Sequence, residues 1–144
     1  MKEVTLAVLF VVHWSVAIFM AFYVFFRKNR TYDWLYILIS GGVMIQWAFF
    51  HECIISFFEK QLLIPGYKWG TNPSLHPSLV FYQLNTNVGG FIKNSIHVIS
   101  ILLLLYNIVY IGLDYKLSFI SLAALCGFTL FASFQNLTPS AKEK

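Results

Sequence analysis

The stretch Trp47-Ala48-Phe49-Phe50-His51-Glu52-Cys53-Ile54-Ile55-Ser56-Phe57-Phe58-Glu59 decides how the chain is read. It is an apolar run about the length of a membrane span that carries a histidine and a glutamate side by side. A carboxylate in hydrocarbon costs at least ~2.5 kcal/mol on insertion scales, so such a residue faces the protein interior or a water-filled cavity. Either solution requires neighbouring helices.

The surrounding composition agrees. Of the 144 residues, 58% are hydrophobic, 19% aromatic and only 11% charged, which lies outside the range of a soluble globule. Runs of roughly 20 apolar residues mark spanning helices, and four are read, over residues 4–26, 34–58, 88–113 and 117–134. The expected fold is an all-α integral membrane protein: an antiparallel four-transmembrane-helix bundle in one membrane domain over 1–144, with a long loop at 59–87 and a polar tail at 135–144. The expected surroundings are the lipid bilayer and a homo-oligomer or a membrane-complex partner. The net charge of +4 comes largely from Arg27, Lys28, Arg30, Lys142 and Lys144. It reads as juxtamembrane anchoring, and no nucleic-acid partner is expected.

The first run starts almost at Met1 and lacks a small-residue cleavage pattern, so it reads as a retained helix rather than a signal peptide. The dense Arg27 to Arg30 cluster assigns the first and third connections to the cytoplasmic face and both termini to the other. In the second run Gly41, Ile45, Ala48, Glu52, Ser56 and Glu59 recur at spacings of three and four, a stripe read as a packing face. In the third, Lys93, His97, Ser100, Leu104, Asn107, Ile111 and Asp114 form one seam, too polar to face lipid. Within the long connection, Ser78 to Asn85 is read as a short interfacial helix.

Alternating helix directions bring His13, Glu52, Lys93 and His97 to within about one helical turn of each other along the membrane normal. With His51, Ser100 and Asn107 they make the candidate intramembrane polar cluster. Glu52 and Lys93 read either as a structural ion pair or as a titratable gate, and Lys93 alternatively as a side chain that snorkels to the interface. Glu59 and Lys60 read as solvated boundary charges, and Cys53 and Cys126, with no Cys-x-x-Cys pair, as packed thiols.

These residues support a small channel- or transporter-like protein with a proton- or ion-responsive pocket, because histidine titrates near physiological pH. The alternatives are a membrane redox subunit holding haem b through two of His13, His51 and His97, and an accessory subunit of a membrane complex. No other cofactor and no metal site is expected. No Gly-x-Ser-x-Gly turn, phosphate-binding glycine loop or potassium-selectivity sequence is present.

Overall fold

The computed structural model describes residues 2–71 and 86–136, and of residues 86–94 the backbone alone. Among them the chain is all-helical. In order come α1 (Lys2–Phe26), a 3₁₀ turn (Arg30–Tyr32), α2 (Asp33–Phe50), α3 (Ile54–Leu63), α4 (Thr86–Asp114) and α5 (Phe119–Gln135). Three segments, Lys2–Phe26, Arg30–Phe50 and Ser95–Asp114, are long and apolar enough to cross a membrane, and α5 is apolar but shorter at 17 residues.

The expected continuous helix over 34–58 is instead broken in two. It stops at Phe50 because His51 turns into the left-handed region at φ +64°, a conformation that histidine tolerates better than most non-glycine residues. The His51 amide closes the end by donating to the Trp47 carbonyl at 3.1 Å. Helix α3 then restarts with Cys53 as its N-cap, the sulfur accepting the Ser56 amide at 3.4 Å. Gln46 Oε1 reaches across the break and accepts the Ile54 amide at 2.8 Å. Donors that a helix start leaves unpaired are thereby satisfied. Residues 59–63, expected to open the loop, belong to α3. The interfacial helix expected at Ser78 to Asn85 lies outside the described residues.

The break also divides the expected packing stripe: Ala48 packs against the core and Glu52 and Glu59 are buried beyond the break, but the stripe does not run along one helix. Ile45 is 51% exposed, and the face of α2 that is buried carries Asp33, Tyr36, Ser40 and Met44. Helix α1 packs against α2, α3 and α4, and α5 packs against α2 and α4. The core between them contains Met20, Met44, Leu104 and Ala132, with Tyr23, Tyr36 and Ile111 nearer the first connection.

Burial is inverted relative to a water-soluble protein. The largest fully buried side chains among the described residues are Lys60, Glu52, Asn107, Thr129, Asp33 and Ser133. Meanwhile Val4, Phe26, Leu38, Phe49, Phe119 and Ile120 are exposed. An apolar outside around a polar inside is the distribution that a hydrocarbon solvent favours.

Two polar devices tie the helices. At the first connection, Arg27 donates to Asp33 through Nε (2.8 Å) and Nη2 (2.7 Å), and to Asp114 at 2.6 Å. Arg30 holds the same Asp114 carboxylate through Nε (2.9 Å) and Nη2 (2.8 Å), and Tyr23 donates to Asp33 at 2.7 Å. Deeper, Asn107 of α4 inserts into the backbone of α1. Its Nδ2 donates to the carbonyls of Met20 (3.3 Å) and Ala21 (2.8 Å), and its Oδ1 accepts the Val24 amide at 2.9 Å.

Candidate functional site

The break between α2 and α3 builds the site. Glu52 sits inside it with its carboxylate 1% exposed. It accepts from Lys60 Nζ (2.5 Å), Tyr67 OH (3.2 Å) and the Gly70 amide (2.7 Å). Gly70 makes its bond from φ +77°, a backbone conformation that favours glycine. Trp69 Nε1 donates to the Glu52 carbonyl at 3.3 Å while its ring lies between Phe50 and Phe57. The 64–71 segment is thus fastened over the break by one carboxylate and one indole.

Lys60 and Glu59, expected as solvated boundary charges, are both buried. Lys60 is the partner of Glu52. Burial pushes its ammonium below the ordinary lysine range, against the opposing pull of Glu52. A buried ion pair of this kind stays favourable only when its remaining valences are filled, as Tyr67 and Gly70 fill those of Glu52.

Glu59 points the other way, to α1. Its Oε2 accepts from His13 Nδ1 at 3.1 Å. With the proton on Nδ1, the other ring nitrogen is left facing Cys53, and Nε2 lies 3.9 Å from Cys53 Sγ. Ser56 Oγ is 3.2 Å from the same sulfur. Cys53 lies in the linker between the two helices and caps α3, so the N-terminal end of that helix favours negative charge on it. Burial alone would push the thiol up, but once His13 is an imidazolium its hydrogen bond and charge, with the hydrogen bonds of Ser56, outweigh it and hold the thiol below its usual range.

The imidazole is therefore in line between a thiol and a carboxylate, one ring nitrogen to each. Nucleophile, base and orienting acid within hydrogen-bond reach is the arrangement that activates a cysteine for covalent chemistry. A cavity of about 180 Å³ opens beside it, lined at this end by His13, Glu52, Cys53, Ser56 and Lys60, and further in by Val16, Met20, Val43, Trp47, His97, Ser100 and Leu104.

The expected polar cluster is brought together only in part. His13, Glu52, His97 and Ser100 line the cavity. His51 turns away, its Nδ1 hydrogen-bonded to the Gln135 carbonyl at 2.9 Å. Asn107 is fully buried but occupied with α1. The side chain of Lys93 lies outside the described residues, and the Glu52 carboxylate is held by Lys60 instead. Among the described residues no group of three or more His, Cys, Asp or Glu could hold a metal ion. Cys53, Ser56, Glu59 and Lys60 were not read as functional residues, because their role depends on a helix break that leaves no glycine or proline in the sequence. The faint signal is Cys53-x-x-Ser56, which has the spacing of a helix cap.

No family model matches the chain, and neither a curated protein nor a solved structure is significantly similar to it.

Proposed function

We propose that this is a multi-pass integral membrane protein that carries a cysteine nucleophile, an enzyme transferring or hydrolysing acyl groups at a site reached from the bilayer. The observation that carries the reading is His13, placed 3.9 Å from Cys53 Sγ and 3.1 Å from Glu59 Oε2. In this mechanism His13 Nε2 takes the Cys53 proton, and the sulfur attacks the carbonyl carbon of an ester or thioester. The bond to the leaving group breaks, and the leaving group departs with the proton from His13. The acyl group then sits on Cys53 as a thioester. Water or an acceptor alcohol or amine, deprotonated by His13, attacks it and returns the thiol. Glu59 holds the ring's orientation and stabilises the imidazolium in both halves.

The test is intact-mass analysis of the detergent-purified protein after mixing with p-nitrophenyl butyrate. One acyl group on Cys53, removable by neutral hydroxylamine and absent from Cys53→Ser, is the expected result. An adduct that maps to Cys126, or an undiminished rate in Cys53→Ser, overturns it.

A second reading is a proton- or ion-responsive channel or transporter. It is favoured by Glu52, Lys60 and His13 gathering in buried or half-buried positions at one end of the same cavity, with the buried Glu59 bonded to His13 behind them. Liposomes carrying an internal pH dye test it: dissipation of a proton gradient that is lost in Glu59→Gln but kept in Cys53→Ser would put transport ahead of acyl chemistry. A visible absorption spectrum of the same sample tests the haem b reading, which predicts a Soret band lost on replacing His13 and His97.

A further inference from the structure

The cavity continues well past the thiol, and its composition changes along its length. The lining residues of α1 run from His13 to Ala21 and those of α4 from Ile96 to Leu104. At about 1.5 Å of rise per residue these runs are roughly 10–12 Å long. On α2 the lining residues are Trp47 and Val43. The polar groups that flank Cys53 give way to Val16, Met20, Val43 and Leu104, with Ser100 the hydroxyl along the shaft. Three of the lining residues, Trp14, Ala17 and Ile96, are exposed on the outside of the helices, so the cavity has a lateral mouth on an apolar surface.

Resting on the thiol reading above, we infer that this cavity is an acyl-chain pocket. It takes a medium-chain acyl ester or thioester with the carbonyl at Cys53 and the tail directed toward Met20 and Leu104. Two measures bracket the length. An apolar cavity of about 150 Å³ holds benzene, so the 180 Å³ here holds a chain slightly larger than six carbons. A carbon chain with bonds of about 1.5 Å at near-tetrahedral angles advances about 1.25 Å per bond, so a shaft of 10–12 Å holds roughly eight to ten carbons. Met20 and Leu104, 4% and 2% exposed, close the far end. A shorter chain leaves part of the shaft unfilled, and a longer one meets those two side chains.

The experiment compares p-nitrophenyl acetate, octanoate and palmitate as acyl donors to the full-length protein in one detergent, reading the rate of thioester formation on Cys53 by intact mass. Iodoacetamide labelling of Cys53 serves as a control that needs no acyl pocket. The expected result is a preference for octanoate over both other esters of about tenfold or more, the discrimination a shaped apolar pocket achieves for a methylene or two. Val43→Phe, which fills the shaft, shifts the preference toward p-nitrophenyl butyrate with iodoacetamide labelling unchanged. Ala17→Phe, at the exposed mouth, does the same where the substitution at the partly buried Val43 disturbs folding. Equal rates for all three esters, or a preference that both variants leave untouched, overturn the chain pocket while leaving the nucleophile standing. Absence of acylation by any ester, with Cys53 inert to iodoacetamide, overturns the thiol reading and the pocket with it.

Discussion

The two ends of the helix assembly bury charge in opposite ways. At the first connection, Arg27 and Arg30 meet Asp33 and Asp114, two cations for two anions, joined largely by paired hydrogen bonds. At the α2–α3 break, Glu52 is paired with Lys60 while Glu59 is paired with the imidazole of His13, whose other nitrogen lies 3.9 Å from Cys53 Sγ beside a cavity. The first arrangement matches each carboxylate with guanidinium groups, whereas the second includes an imidazole and a thiol and borders a cavity. Buried charge in an apolar chain is therefore not by itself a mark of chemistry; a mixed set of titratable groups next to empty space is.

That contrast is most exposed to test in stability. Removing one member of a buried pair strands the other, at a cost of about 3–5 kcal/mol. Asp33→Ala leaves Arg27 with Asp114 alone and the buried Tyr23 hydroxyl without its acceptor, so it is expected to lower stability in detergent by about 3 kcal/mol, the lower end of that range, whereas Cys53→Ser changes it by less than about 1 kcal/mol. If the two variants behave alike, the division into staple and site fails.

The Glu52–Lys60 pair belongs to the site by position and to the staple by bonding. Glu52→Gln is expected to cost nearly as much as Asp33→Ala, and adding Lys60→Met should recover most of the loss, because the stranded charge goes with it. A double variant no better than the single one would place the stabilising role in Tyr67 and Gly70 instead.

A smaller effect separates chemistry from scaffolding. His13→Gln is expected to slow acylation of Cys53 by about 10²-fold or more, the contribution of a positioned base. The sign with pH follows from the lowered thiol: its thiolate is present at lower pH than that of an ordinary cysteine. Loss of His13 moves the midpoint of iodoacetamide labelling upward, so the variant labels more slowly at neutral pH and equally fast well above both midpoints. The least effect is expected from Arg30→Ala. Arg30 is 56% exposed, so its removal should be felt chiefly as a weaker salt dependence of the melting temperature.

Much of the helix content was legible in the chain. The runs read at 4–26, 88–113 and 117–134 lie within two residues of α1, α4 and α5 at each end, because each is dominated by apolar residues over about the length of a span and is flanked by polar ones. The α2–α3 break was not legible, since it depends on a left-handed histidine and a cysteine cap, neither a usual stop or start signal. The site went with it. Glu59 and Lys60 looked like the first residues in water because the apolar run ends there, yet α3 and the 64–71 segment bury them. Nor does any local pattern join His13 to Glu59, 46 residues away. That pairing exists only once α3 has folded back against α1.

Asn107 has a consequence of its own. A helix lined with valine, leucine and phenylalanine can slide along or rotate against its neighbour in hydrocarbon at little cost, since one apolar contact substitutes for another. By occupying the peptide groups of Met20, Ala21 and Val24, Asn107 acts as an index pin that sets the phase of α1. His13 is carried on the same rod, seven residues above Met20, and inherits that phase. Inserting one alanine between Ser15 and Val16 would leave the pin engaged and His13, Cys53 and Glu59 all present, yet turn the imidazole by about 100°, out of line between Cys53 and Glu59.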